Sequence, residues 1–564
     1  MSAIQESIVQ VLAKSADRLR IPGLPGPLAD ELAALVGKVY DPCVVAVVGR
    51  VKAGKSTFIN ALLGAREDLA TVGTTETTAT INYFRYGCPA DPERPVRCYW
   101  RGGGYEDCPA SFLHHLQGND LETLRRAEGI DHLEYRLELD YLRRVTLVDT
   151  PGTGAVVDEH QGRTAEYMRL YGQLRERHDR ETQQIGESSD AIIYLIGAVA
   201  RASDRDFLEE FGQATQGTSR ALNAVGVMAK IDLSPDVMTR REDLADKVAA
   251  QLKDSLNTVM PVSAGLHRAL ERLMDGAGVG LQGLMDALRR VPSGRLTKLL
   301  DNDEFYREYE FDDCPLSTDE RRALLGGLDW TVFTTIARLA ADPALELNEV
   351  AARLGHIAGF APLGDLLESH FLKRSEFLRC YRLIGDARRL VSGIRYQRLP
   401  ALRQRERDEA ARRERFLAFL RAAPGDRAVA AELAEWVERA MVPSAAPVAA
   451  AVDAVDRDLG RVFHRLEEYN ADFEALQTLE QHAGIFSEEE QEELRRLLGQ
   501  YGQESADRLP LDRAQDTGYV EQRQQHWRDR NFRDRAPARR AVAERAVARL
   551  GLLLDELPTG SSVS

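Results

Sequence analysis

The stretch GRVKAGKS, Gly49 to Ser56, has the G-x4-G-K-S spacing of a loop that wraps a phosphate chain. Its glycines let backbone N–H groups approach phosphate oxygens, and a helix opening after Gly54 would present its positive end to them. Lys55 is placed to reach the β- and γ-phosphates, and Ser56 to ligate Mg²⁺. Gly49, Lys52, Ala53, Gly54, Lys55, Ser56 and Thr57 make up the expected cradle. Lys52 is a cation beyond what such a cradle needs.

Three further stretches follow in chain order. Asp149-Thr150-Pro151-Gly152 ends an apolar run, where Asp149 would hold Mg²⁺ through water and the Gly152 N–H would meet a γ-phosphate. Ala229-Lys230-Ile231-Asp232 ends another. A carboxylate at Asp232 can accept from guanine N1–H and N2–H₂ together, a pairing adenine lacks, while the Lys230 stem lies over the base. In Pro261-Val262-Ser263-Ala264-Gly265 the Ala264 N–H, beside Ser263, is aimed at guanine O6. GTP or GDP with Mg²⁺ is therefore expected, rather than ATP. The loop LATVGTTETTAT holds Thr74, Thr75, Thr77 and Thr78. One of them would complete the Mg²⁺ shell and order the loop around a γ-phosphate. Thr77 and Thr78, next to the apolar run, are both candidates.

These loops need a scaffold. CVVAVVG (43–49) is a continuous β-branched run of the kind found in buried parallel strands. VTLVDT (145–150), AIIYLIGAV (191–199) and NAVGVMAKIDL (223–233) repeat the pattern, with helical periodicity between the later runs. Alternation in HLEYRLELDY predicts antiparallel strands within 79–141. After about residue 266 only helical periodicity remains. Before residue 40, Ile4, Ile8, Val11 and Leu12 form one apolar stripe and Leu28, Leu32, Leu35 and Val36 another. The expected fold is an α/β P-loop GTPase domain with a mostly parallel sheet, joined to an extended α-helical bundle or stalk. Residues 1–40 would pack into the bundle, 41–300 form the GTPase domain and 301–564 the bundle, its boundary falling as late as about 385.

GRVKAGKSTFINALLG, TTETTAT, DTPGTG, AKID and PVSAG together resemble the GTPase domain of bacterial dynamin-like proteins, over residues 43–265. The resemblance implies a large GTPase of low nucleotide affinity that pairs through its nucleotide face and couples hydrolysis to bundle movement, often on membranes. A homodimer of GTPase heads and a hetero-oligomer with another dynamin-like protein are both implied. Two residues depart from the pattern. Ala229 stands where Asn or Thr usually precedes Lys-x-Asp, which weakens the guanine contact. Thr153 stands where small GTPases carry a water-orienting glutamine, and its absence is usual among dynamins. At the position of Lys52 some relatives carry a cation that acts as an internal finger once two heads pair. Others carry a serine that helps bind a monovalent cation. Lys52, Lys55, Thr77, Thr78 and Gly152 are the expected catalytic set. An Era- or septin-like GTPase fits less well, given about 300 helical residues after the motifs. A nucleotide-gated scaffold acting on a partner GTPase is the alternative from another class.

A net charge of −15 over 564 residues argues against nucleic acid as a partner. No stretch reaches the ~18 apolar residues of a spanning helix. A cytoplasmic protein is expected, with peripheral contact at the inner face of the cell membrane left open. The six cysteines form no C-x-x-C pair and read as free thiols. MVPSAAPVAAAV (441–452) reads as an interhelical connection first and a weak membrane or partner contact second. Residues 373–415 hold 14 Lys/Arg against 6 Asp/Glu, and RQQHWRDRNFRDRAPARR interleaves Trp527 and Phe532. Both read as helix faces paired with the protein's own carboxylates, with an anionic surface as the sharper alternative.

Overall fold

A computed structural model describes residues 3–556, except 51–52, 65–79, 117–120, 151–172, most of 174–188, 215–223, 253–254, 257, 277, 373, 423–424, 440–443, 482–485, 503–504, 514–515 and 535. The chain divides into two compact units. One holds residues 1–5 and 37–385, the other 6–36 and 386–564.

The first unit is built on nine strands in the order β4-β3-β5-β2-β6-β1-β7-β8-β9. They are β1 (Cys43–Gly49), β2 (Ile81–Tyr86), β3 (Val96–Trp100), β4 (Tyr105–Cys108), β5 (Ile130–Leu137), β6 (Val145–Asp149), β7 (Ala191–Ile196), β8 (Ala224–Met228) and β9 (Val259–Pro261). β6, β1, β7, β8 and β9 run parallel. The antiparallel pairings expected within 79–141 are β3 with β4 and with β5, and β2 lies antiparallel to β6.

Continuous apolar runs are needed because both faces of the sheet are covered. Ala46 and Val48 enter one cluster with Ile192 and Tyr194, while Val45 and Val47 enter another with Ile193 and Leu195. The first cluster also takes Leu266, Phe333, Ile336 and Leu354, so helices well past residue 266 share a core with the sheet. The run beginning at Asn223 makes a shorter strand than its composition suggests. It stops at Met228 because Lys230 adopts a left-handed φ of 60°, and a single 3₁₀ turn, Ile231–Leu233, follows.

In the second unit the described regular elements are all helical. Ala475, Leu479, Leu494, Trp527, Val542 and Leu550 belong to one of its buried clusters. The N-terminal helix Ala3–Leu19 buries Ile8 and Leu12, and Arg18 pairs with Asp458 at 2.5 Å. Trp527, in the arginine-rich stretch, is fully buried and donates from Nε1 to Glu493. Its neighbours Arg523 and Arg530 bond Glu493 and Glu490. In 441–452 the described part opens the helix Ala446–Gln481, with Val448 and Val452 buried and Ala446, Pro447 and Ala450 exposed. Large exposed apolar side chains lie instead on two adjacent helices, Phe416 and Phe419 on Leu399–Ala422 and Leu433 and Trp436 on Arg427–Arg439. All six cysteines are free, and no helix among the described residues is long and apolar enough to cross a membrane.

Candidate nucleotide site

Parallel register brings the loops together. Val47 stands opposite Asp149 and Gly49 opposite Leu195, so the phosphate loop and the acidic loop leave neighbouring carboxyl ends. A crevice outside such ends is where open α/β sheets place ligands. Gly49 must lack a side chain, because a Cβ there would lie 2.8 Å from the Leu195 carbonyl oxygen. Gly54 holds a left-handed φ of 95° and caps the helix Lys55–Leu62. A Cβ on Gly54 would meet Lys230 Cε at 3.3 Å, so the Lys230 stem already lies against the phosphate loop.

Lys55 is buried, and its Nζ donates to the carbonyls of Gly49 and Arg50 at 3.1 and 3.2 Å. These are neutral acceptors that anionic phosphate oxygens can replace. Burial lowers the Lys55 pKa to about 8, with nearby Asp149 pulling the other way. Asp149 is raised to about 6, again by burial, while Lys55, Asn82 and Ser56 oppose the shift. Ser56 Oγ donates to Asp149 Oδ2 at 3.3 Å, and Asn82 Nδ2 donates to the same oxygen at 3.4 Å. Asp149 Oδ1 is buried with no hydrogen-bond partner among the described residues. A buried carboxylate oxygen without a donor is costly, and a carboxylate whose other oxygen already meets a serine hydroxyl suits a hard cation with oxygen ligands.

At the base end, Ser263 Oγ donates to Asp232 Oδ2 at 2.5 Å and accepts from the Leu266 N–H at 2.9 Å. It thus orients the carboxylate and caps the helix Ala264–Met274 at once. Gly265 is glycine for the same reason, since its Cβ would fall 2.5 Å from Asp232 Oδ2. Lys230 is the one described non-glycine residue with positive φ. Strain of this kind gathers at ligand sites. A cavity of about 440 Å³ opens here, lined by Arg50, Ala53, Gly197, Arg201, Ala229 and Lys230 among others.

Residues 45–230 match the dynamin family. The isoniazid-induced protein IniC of Mycobacterium tuberculosis is 27% identical over 380 residues, 65% of this chain and 70% of that one. Residues 45–230 thus form a dynamin-family domain. A probable transmembrane GTPase, the chloroplastic FZO-like protein of Arabidopsis thaliana, is 28% identical over 145 residues, 25% of this chain and 13% of that one. Among solved structures, an oligomerised bacterial dynamin pair is similar over 98% of this chain and 76% of its own, at 13% identity and a TM-score of 0.28, too low to carry an argument.

Dynamin-family domains hydrolyse GTP with Mg²⁺, and the described residues that the motifs single out lie together at this crevice. Lys55, Ser56 and Asp149 form one group, and Lys230, Asp232 and Ser263 a second. Ala53 lines the cavity beside Ala229, Thr57 lies in the first turn of the Lys55–Leu62 helix, and Ala264 begins the helix that Ser263 caps. Lys52, Thr77, Thr78 and Gly152 lie outside the described residues.

Two further residues at this crevice escape motif reading. Asn82 stands opposite Asp149 in the β2–β6 register, and its Oδ1 accepts from Thr80 at 3.2 Å. Its only signal is a polar side chain in an otherwise apolar strand start, TINYF. Arg50 lines the base-end cavity and donates to Ser203 Oγ at 3.1 Å, a contact 153 residues away along the chain.

Proposed function

We propose that this chain is a dynamin-like GTPase that binds GTP at the crevice beyond β1, β6, β8 and β9 and hydrolyses it with Mg²⁺. The observation that carries this reading is the buried, partnerless Asp149 Oδ1 beside Ser56 and Lys55. Ser56 and Asp149 would hold a Mg²⁺ ion, which would supply charge against the phosphate oxygens. Lys55 exchanges its loop carbonyls for those oxygens, with Thr77 or Thr78 and the Gly152 N–H closing the γ-phosphate end. Asp232, fixed by Ser263, reads the guanine edge, and Lys230 covers the base. Lys52 supplies transition-state charge in cis, as an arginine finger does; the competing role for that position is help with a monovalent cation.

Pairing of two heads across the nucleotide face, coupled to movement of the helical unit, completes the reading. The partner is a second copy or another dynamin-like protein. Contact with a membrane surface falls to the exposed Phe419 and Trp436 rather than to residues 441–452, and membrane remodelling would follow from it.

Phosphate release measured against protein concentration tests the proposal. Turnover per head should rise with concentration. Lys55→Ala should abolish nucleotide binding, and Lys52→Ala should keep binding while losing the stimulated turnover. Strictly linear, slow turnover would instead favour a nucleotide-gated scaffold. Co-sedimentation with anionic liposomes, with and without a GTP analogue, tests the membrane part; equal pelleting of the wild type and a Phe419→Ala/Trp436→Ala variant would sink it.

A further inference from the structure

The first unit holds a second cavity, of about 490 Å³, on the side of the sheet where the phosphate-loop helix lies. Val45, Leu147 and Ile193 form part of its floor, Ala61 and Leu62 at the end of that helix one wall, and Phe360 and Gly364 of the helix Phe360–Leu367 another. Its size falls within the ~300–1,000 Å³ of small-molecule sites, and its lining is mostly carbon.

Three observations make it more than a packing gap. Gly364 sits inside a helix, where glycine costs about 1 kcal/mol against alanine. A Cβ there would meet nothing within 4 Å, so sterics do not demand the glycine, and its effect is to leave the wall open. Second, Tyr141 lines this cavity, and its hydroxyl is buried with no hydrogen-bond partner among the described residues. Leaving such a group unpaired costs roughly 1–3 kcal/mol, which a ligand oxygen would offset. Third, the charges at the wall are balanced. Glu368 pairs with Arg144 at 3.2 Å, and His267, stacked on Phe360, is held toward its neutral form by burial. The paired charges leave no net charge at the wall to hold an anionic or a cationic head.

We propose that this cavity binds an uncharged single-chain amphiphile whose hydroxyl accepts from Tyr141 and donates to Glu368 or His267, its chain lying along Val45, Leu147 and Ile193. The site is separate from the nucleotide reading and stands or falls without it. One wall is nevertheless the far end of the helix that begins with Lys55 and Ser56.

Nile red fluorescence with the detergent-free full-length chain, followed by competition, tests the proposal. Saturable Nile red binding should be displaced by 1-dodecanol and at least tenfold less well by dodecanoate or dodecylamine. Gly364→Leu, which projects a side chain into the opening and favours the helix, should weaken both ligands at least tenfold with no loss of melting temperature. Tyr141→Phe should leave Nile red bound, raise the melting temperature slightly by removing the orphaned hydroxyl, and weaken dodecanol several-fold. Trp436→Ala removes the most exposed tryptophan of the other unit as a competing dye site and should change nothing. Absent saturable binding, undiminished binding in both Gly364→Leu and Tyr141→Phe, or equal displacement by dodecanoate would overturn the assignment.

Discussion

Replacing Asp190 by alanine removes the acceptor at the centre of a buried charge cluster. The Asp190 side chain is fully inaccessible, and it accepts from the Val44 N–H at 2.7 Å and from Arg379 Nη1 at 3.1 Å, with Arg382 Nη1 3.6 Å away. Burial pushes its pKa up while the two guanidiniums pull it back. Removing one partner of a buried pair costs about 3–5 kcal/mol, because the other charge stays in place. Orphaning the Val44 N–H adds about 1–3 kcal/mol. Arg379 keeps the Lys38 carbonyl at 3.0 Å and Asp41 at 3.3 Å. Those contacts hold the expected loss to about 4 kcal/mol, near the low end of the combined range. At about 2.1 cal/mol/K per residue over the roughly 350 residues of the first unit, the melting temperature should fall by ~5 °C. The double change Asp190→Leu/Arg379→Met removes both charges and should recover at least half of that loss. Scanning fluorimetry reads the shift, and hydrogen exchange of peptides covering β1 reads the Val44 amide directly. A shift under about 1 °C with unchanged exchange at Val44 would refute the reasoning.

Four other changes have defined outcomes. Asp472→Ala removes the buried carboxylate that Arg508, Arg545 and Arg549 approach at 2.9, 2.7 and 2.5 Å, leaving Arg545 and Arg549 with Glu468 and Arg508 with the Leu497 carbonyl; calorimetry should show the second unit losing about 3 kcal/mol while the first keeps its transition. Ser263→Ala deletes the donor to Asp232, a charge-assisted bond of about 1.5–3 kcal/mol, so fluorescent GDP should bind at least tenfold more weakly, with Ser263→Thr retaining most of the affinity. Gly265→Ala pushes Asp232 away from its place and should cut GDP affinity comparably, read in the same titration. Asp149→Asn should abolish the Mg²⁺ dependence of nucleotide affinity, seen by titrating Mg²⁺ against EDTA; a retained Mg²⁺ response would exclude Asp149 as the cation's holder.

The parallel half of the sheet was legible because each strand is buried on both faces and so reads as an unbroken apolar run, as CVVAVVG does. The end of β8 was not, because the backbone turns at Lys230 for reasons that composition does not carry. Helices after residue 266 were visible as helices. Their allegiance was not, since the stripe of Trp330–Ala340 looks the same whether it faces a sheet or another bundle helix, and here Phe333 and Ile336 join the sheet's core. RQQHWRDRNFRDRAPARR shows the same blindness at the surface. Its arginines find Glu493 and Glu490 on a helix 30 and 40 residues earlier, and its tryptophan is core rather than anchor.

Within the site, legibility follows distance along the chain. Lys55 and Ser56 stand in one short loop after one strand, so spacing alone identifies them. Asp232 and Ser263 were each readable from their own loops, yet the bond between them, which makes one a support for the other, spans 31 residues and has no local trace. Asn82 meets Asp149 across 67 residues and Asp190 meets Arg379 across 189. Those pairings are consequences of register, Asn82 falling opposite Asp149 because β2 runs antiparallel to β6 at that offset. A motif records what must touch a ligand through a contiguous loop. What holds the motif in place is set by the order of strands, and a side chain such as Asn82 acquires its role only once the sheet has closed around it.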